Sequence, residues 1–327
     1  MNSGLVFNRD ELDNFWRFVA ERHWIWHRRF VLKLPREEWT QDPVLKKNKF
    51  TNIYRELDPG TMFVFRNILE REDESRPNIV FNVMLYRLMC SIPTYRGFGF
   101  QRLATFSATE FEEYLGNLYK TGEAVFGNAY LISPYSSMGS SFKYVNVARL
   151  FGHLQQNFER FWNRLDKAES FERCFKVINQ QYGFGPFLSY QVLVDLTYPL
   201  PNTYAKSAII PWSQDDWARL GPGAMRGFRR LSRSPDRLNG LRWLRDFQGE
   251  EFERLQLDFP FLRNEDNEEI PLTLANLQNC LCEFHKYRSI QSGTGKSQRI
   301  YVPAIDFSGV TTGRLSVRNP PTAGRPR

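Results

Sequence analysis

Between Phe171 and Gly227 the order of residues restricts the fold more than anywhere else in the chain. An amphipathic stretch (Phe171, Cys174, Phe175, Ile178) runs into the glycine turn Tyr182-Gly183-Phe184-Gly185-Pro186, and a second apolar helix is expected from Phe187 to about Leu196. Two short helices about a Gly-x-Gly turn make a helix-hairpin-helix, because glycine lets the backbone turn sharply and pass close to a partner. The first amides of the second helix have no intrahelical acceptor, so that helix start suits an anion, and a nucleic-acid phosphate is the natural one. Gly183, Gly185 and the Phe187 amide are therefore expected to contact DNA. About thirty residues on, Asp215 and Asp216 precede a second turn, Gly221-Pro222-Gly223, which opens a helix carrying Arg226, Arg229 and Arg230. Hairpin, carboxylates and arginines in that order suggest a surface that grips a DNA backbone and does chemistry beside it, with Gly221, Gly223 and the three arginines as further contacts.

Charge supports a polyanionic partner through its distribution more than its sum. The net charge is +8 over 327 residues, yet Arg219 to Arg245 holds eight arginines against one acid, Asp236. A solvated helix face is the alternative for that cluster. With 42% hydrophobic residues the chain can bury a real core, which excludes a disordered protein. Cys90, Cys174, Cys280 and Cys282 show no zinc-like pairing with the four histidines, so no metal and no disulfide are expected. His23 and His27 lie one turn apart without an acidic or cysteine partner, which favours partly buried or DNA-facing histidines over zinc ligands. No apolar leader and no run of about 18 apolar residues occurs, so a cytoplasmic protein without a membrane segment is expected.

In order, the pattern is almost entirely helical. Asn8 is placed to cap a helix through Leu12, Phe15, Phe18 and Val19. Lys46 to Thr61 reads as a basic approach, a short helix and a Pro-Gly stop; Asn52, Tyr54, Arg55 and Asp58 on it are candidates to line a base pocket, and Arg55 with Asp58 is also compatible with a simple capping pair. Further helices are expected over Met62–Leu69, Ile79–Cys90, Thr109–Leu118, Tyr144–Leu165 and Phe247–Arg254. Thr94–Gln101 reads as a glycine and aromatic loop, Ser133–Ser141 as a serine-rich loop, and Asn264–Glu269 as an acidic loop. Thr273 begins the last strong helix, with Leu277, Leu281 and Phe284 inward and Glu283 and Lys286 as the remaining pocket candidates. An all-α domain over residues 1–290 in two lobes, roughly 1–165 and 166–290, is expected, followed by a polar tail over 291–327, disordered beyond about Val310.

The stretches FTNIYRELDPGT, YGFGPFLSYQVLVDL, DDWARLGPGAMRGFRRL and LCEFHKYR, spanning Phe50 to Arg288, resemble the successive motifs of the alpha-glutamyl/putrescinyl thymine pyrophosphorylase family, which includes the helical domain accompanying 5-hydroxymethyluridine DNA kinases. That family is similar to helix-hairpin-helix DNA glycosylases, so the resemblance implies a glycosylase-like two-lobed fold and a double-stranded DNA partner with modified bases. No cofactor is expected, and no obligate protein partner is inferred. An enzyme acting on a base must extrude it from the duplex. By analogy with the glycosylases the carboxylate following the hairpin, Asp216 with Asp215 in reserve, would stabilise an oxocarbenium-like sugar and orient water. Asp216 lies 31 positions after Gly185, a longer spacing than the analogy expects, and Asp195 is assigned to the end of the second helix. Phe187 stands where bifunctional glycosylases carry a Schiff-base lysine, so base release without strand cleavage is expected.

Three functions remain open from these residues, and the order of hairpin and carboxylate favours the first. The first is a glycosylase excising a hydroxymethylated or glucosylated cytosine from phage DNA in anti-phage defence. The second is a transferase that replaces pyrophosphate on 5-hydroxymethyluracil in DNA with an amine or amino acid, and the third is a DNA-binding module without catalysis. The segment Gly293-Thr294-Gly295-Lys296-Ser297 is too short for a nucleotide phosphate loop, so kinase activity is not expected of this chain.

Overall fold

Asn8 accepts a hydrogen bond from the Glu11 amide, acids occupy the first turn and His27, Arg28 and Arg29 the last, and the result is a 22-residue helix, α1 (Arg9–Phe30). The computed structural model describes residues 5–71, 73–128, 132–198, 208–264 and 266–295. Within them follow α2 (Pro43–Lys47), α3 (Pro59–Val64), α4 (Arg76–Met89), α5 (Ile92–Phe98), α6 (Ala108–Lys120), α7 (Lys143–Gln156), α8 (Phe158–Asp166), α9 (Phe171–Asn179), α10 (Pro186–Asp195), α11 (Pro222–Leu231), α12 (Arg237–Asp246), α13 (Gln248–Arg254) and α14 (Leu274–Gln291). The fold is all-α. Its one sheet among the described residues pairs β1 (Leu262–Arg263) antiparallel with β2 (Glu269–Ile270), at the two ends of the stretch expected as an acidic loop. None of these helices is long and apolar enough to cross a membrane.

The chain divides into two compact units, one built from residues 1–58 with 220–327 and the other from 59–219. The first unit therefore joins the two ends of the chain around an insertion, whereas the lobes expected from sequence met near residue 165. The stretch from 166 to 219 stays with the middle of the chain because α9 packs on α8 and α10 on α4. The expected disordered tail beyond Val310 lies outside the described residues.

In the first unit α1 contributes Leu12, Phe15, Trp16 and Val19, all fully buried, to a core shared with Phe228, Leu241, Leu244, Leu277 and Phe284. Helices α11 and α14 make the closest crossing: a Cβ at Gly227 would sit 2.0 Å from the Leu281 carbonyl oxygen, and one at Gly223 2.3 Å from Cys282 Sγ. Two glycines four apart put one bare face of α11 against α14. The His23 Nε2 lies 2.8 Å from the Pro260 carbonyl, its ring stacks on Trp26 and Phe259, and burial pushes its pKa down to about 3. His23 is thus a neutral core histidine, and no group of three or more metal-ligating side chains occurs among the described residues.

In the second unit α4 is the centre. Every residue from Ile79 to Met89 is buried, as expected for a helix apolar on all sides. Two polar residues inside it are fully engaged. Asn82 donates to the Asn78 and Gln101 carbonyls at 2.7 and 2.6 Å and accepts from the Tyr95 hydroxyl and the Gln101 amide, both at 2.8 Å. Arg87 forms a two-pronged pair with Asp195, the last residue of α10, with Nη2 to Oδ1 at 2.7 Å and Nε to Oδ2 as the second prong; Nη2 also donates to Thr61 Oγ1 at 3.1 Å. Asp195 is completely buried. It belongs to the architecture of the helix end, as its sequence position indicated. Arg87→Met is expected to cost about 3–5 kcal/mol in urea unfolding, since a buried carboxylate is left without its cation, and Arg87→Met with Asp195→Leu is expected to recover most of that loss. A single variant within 1 kcal/mol of the parent, an order-of-magnitude threshold, would show that the pair does not hold the unit together.

Candidate functional site

The hairpin of the second unit forms as the glycines require. Gly183 has φ +88°, and a Cβ there would lie 2.3 Å from Leu150 Cδ1, so both conformation and space demand glycine. Phe184 is buried beneath the turn, while Tyr182 and Phe187 on either side are 49% and 56% exposed. Gly185 is the N-cap of α10 with open space around its Cβ position, and Pro186 starts the helix. Beside the turn lies a groove of about 660 Å³ whose lining includes Leu88, Tyr135, Tyr182, Gly183 and Phe187. Tyr135, itself at φ +49°, donates its hydroxyl to the Gly183 carbonyl at 3.0 Å, and the Tyr182 and Ser137 hydroxyls are bonded to each other. An open helix start flanked by two exposed rings can bind a phosphate through backbone amides and stack on a base.

Asp215 and Asp216 lie in the same unit, in a turn closed by their own residues. The Asp216 carboxylate accepts from the Ser213 amide at 2.8 Å, and Ser213 Oγ accepts from the Asp215 amide at 3.1 Å. Asp216 is exposed and Asp215 half-buried.

The pocket candidates fall in the first unit, and most of them converge. Of the short helix expected between Lys46 and Thr61 only a single 3-10 turn, Arg55–Leu57, forms: α2 ends at Lys47 and residues 48–54 carry no helix. A stripe on α14 explains the difference by taking over the segment's backbone hydrogen bonds. The Thr51 amide donates to Glu283 Oε2 at 3.1 Å, Asn279 Nδ2 donates to Thr51 Oγ1 at 2.9 Å, and the Lys286 ammonium donates to the Lys49 carbonyl. From α1, Arg22 Nη2 donates to Asn52 Oδ1 at 2.7 Å and to the Phe50 carbonyl at 3.1 Å. Asn279, Glu283 and Lys286 recur at i, i+4 and i+7, so one helix face clamps one non-helical segment.

Asp58 sits at the end of this clamp. Its Oδ1 accepts from the Asn52 amide at 3.1 Å, and the Asn52 side chain closes the loop by donating to the Leu57 carbonyl at 2.7 Å. Desolvation pushes the Asp58 carboxyl up from 3.8 to about 6, against the pull of the Asn52 amide and of the Arg55 and Arg22 charges, with Glu283 adding to the rise. Burial likewise raises neighbouring Glu56. A carboxyl that titrates near neutrality between guanidiniums can take or give a proton at working pH. Tyr54 and Arg55 are instead buried in the framework: the Tyr54 hydroxyl donates to the Ile270 carbonyl at 2.6 Å, and the Arg55 amide donates to Asn276 Oδ1 at 3.0 Å. Sequence reasoning missed Arg22 and Asn279. Their roles depend on partners that only the fold brings to them.

The second glycine turn also lies in the first unit. Gly221 caps α11 with open space about it, whereas Gly223 is occupied by packing against Cys282. Arg226 and Arg229 are exposed and Arg230 half-buried. His285 of α14, which the sequence reading did not single out, stands between two of them: Arg226 Nε is 3.1 Å from its Nε2 and Arg230 Nε 3.4 Å from its Nδ1.

No solved structure matches the chain, so the expected glycosylase-like arrangement has no solved counterpart to rest on. Among curated proteins, a 5-hmdU DNA kinase of Bacillus phage SP10 is 28% identical over 293 residues, covering 84% of this chain and 44% of the relative. The chain thus spans less than half the length of that relative. Residues 9–296 match the family described as 5-hmdU DNA kinase, helical domain, and the chain belongs to that family.

Proposed function

We propose that the chain acts on DNA carrying a 5-hydroxymethyluracil-type base and substitutes an amine or amino acid for a pyrophosphoryl group at the base's 5-methylene. The observation that carries this reading is Asp58: in a chain of this family, a carboxyl that desolvation pushes up to about 6 accepts from the Asn52 amide, at the end of the segment that α14 clamps. In such a substitution the methylene C–O bond breaks with its electron pair leaving on pyrophosphate, a C–N bond forms, and the amine nitrogen loses a proton. Asp58 is the proposed acceptor of that proton. The hairpin at Gly183, Gly185 and Phe187 and the arginines Arg226, Arg229 and Arg230 are the proposed DNA contacts, with Gly221 at the open start of the arginine helix. Asn52, Glu283 and Lys286 hold the Asp58 segment in place, and Tyr54 and Arg55 buttress it from beneath. Phosphoryl activation is not assigned to this chain, whose sequence has no nucleotide phosphate loop.

The hairpin also favours a second reading, a glycosylase that releases a modified pyrimidine using Asp216 or Asp215. It is the weaker one because Asp216 is exposed and engaged within its own turn. The deciding experiment incubates the protein with duplexes carrying hydroxymethyluracil or its pyrophosphorylated form, with and without amines, and follows nucleosides by mass spectrometry and abasic sites by aldehyde labelling. An amine-substituted thymine formed only from the pyrophosphorylated duplex, without abasic sites, is the expected product. Free base and abasic sites, lost in Asp216→Asn, would replace this reading with the glycosylase. Binding without any product would leave a non-catalytic module.

A further inference from the structure

The contact of His285 with two arginines is electrostatically incomplete. A neutral imidazole has one N–H and one lone pair, yet a guanidinium N–H is aimed at each ring nitrogen, Arg226 at Nε2 and Arg230 at Nδ1. Whichever tautomer is present, one of the two contacts sets a donor against a donor. Protonating the ring makes both unfavourable, and burial together with the two guanidiniums lowers its pKa below the ordinary value. No acid among the described residues relieves the group. Neither Arg226 nor Arg230 has a carboxylate partner among the described residues. The nearest acid on α14, Glu283, is turned to the Thr51 amide and to Lys286, and Arg288 is paired with Glu11. The arrangement is also fixed in place, since α11 packs on α14 on either side of Arg226, Gly227 against the Leu281 backbone and Gly223 against the Cys282 side chain.

We infer that Arg226, His285 and Arg230 form a seat for a phosphate oxyanion on the first unit. An anion accepts from both guanidiniums and from one ring N–H, which resolves the opposed donors and supplies the charge the group lacks. This rests on the proposed function for its two sources of phosphate: a phosphodiester of the DNA backbone, or the pyrophosphoryl group that leaves the base. The chemistry of the seat is the same for both.

The test uses the full chain labelled with 15N-histidine, whose four imidazoles are read by long-range proton–nitrogen NMR. His285 is identified by the signal lost in His285→Gln, and the protein is titrated separately with inorganic pyrophosphate, with unmodified duplex DNA, and with sodium chloride at matched ionic strength. The expected result is a saturable shift of the His285 nitrogens with pyrophosphate or duplex, no comparable shift at His23 or His27, and binding weakened by about tenfold or more in Arg226→Gln/Arg230→Gln. Saturation by pyrophosphate alone identifies the base-borne group as the source, and saturation by duplex alone identifies the backbone. A drift no larger than that with sodium chloride, or unchanged affinity in the double variant, overturns the seat. Arg226 is exposed, so Arg226→Gln alone repeats the test without touching the core. Inorganic pyrophosphate and plain duplex need no modified base, so failure here is separate from failure to convert the modified duplex.

Discussion

Gly227→Ala is expected to destabilise the first unit by about 3 kcal/mol or more, and Gly249→Ala to stabilise it by a few tenths to about 1 kcal/mol. Both replace a helical glycine, and helix propensity alone gives both the same favourable sign. Packing decides otherwise at Gly227. Its Cβ would stand 2.0 Å from the Leu281 carbonyl oxygen and 2.7 Å from the carbonyl carbon, and backbone in the middle of α14 cannot rotate aside as a side chain could. Relief requires α11 and α14 to separate, which opens the contacts of Phe228 and Leu281, both fully buried. At Gly249 nothing lies within 4 Å of the added carbon. Chemical denaturation followed by tryptophan fluorescence measures both variants, and a Gly227→Ala protein within about 1 kcal/mol of the parent would mean that the two helices can part cheaply. A loss of this size matters because the total stability of a domain is only about 5–15 kcal/mol.

Elements that announce themselves by local chemistry were legible in the sequence. Asn8 before α1, Thr273 before α14 and the Gly183 turn each carry their cause within a few residues, and each stands where expected. Pro93 is an early residue of α5, whose N-cap Ser91 accepts from the Thr94 amide, so the expected glycine and aromatic loop is largely helix. The expected helix from Tyr144 to Leu165 is two, parted at Asn157, and α12 was passed over because its arginines obscured Leu241 and Leu244. The segment 48–54 was beyond local reading altogether. Its hydrogen-bond partners sit on α14, more than two hundred residues away, and only the fold reveals that they displace a helix. For the same reason Asn52, Asp58, Glu283 and Lys286 could be nominated from residue type, while Arg22, Asn279 and His285, which join them or the arginines, could not.

Asp58→Asn is expected to lower the substitution rate by about 100-fold or more, roughly 3 kcal/mol in barrier height, while leaving DNA binding intact and making the protein more stable above neutrality. The three effects share one cause. Desolvation raises the carboxyl from 3.8 to about 6, so the folded protein binds this proton more tightly than the unfolded chain does. Below about pH 4 both states hold the proton and the residue carries no ionisation penalty. Between about 4 and 6 the unfolded chain has released it and the folded one has not, so stability falls as pH rises, and above about 6 the full cost of an ionised, desolvated carboxylate is present. A shift of about two units corresponds to at most about 3 kcal/mol, and the partial exposure of Asp58 reduces that to about 1–2 kcal/mol. Asparagine keeps the oxygen that accepts the Asn52 amide and removes the charge. The gain of the variant over the parent should therefore be about 1–2 kcal/mol at pH 8 and vanish near pH 4. In the parent the reaction rate should climb through about pH 6 to a plateau as the carboxylate becomes available. A variant equally active at pH 8 would assign Asp58 to the clamp alone. A stability difference that does not change between pH 4 and 8 would show that its proton is not held above the ordinary carboxylate range, and the proposed base would lose the property that recommends it.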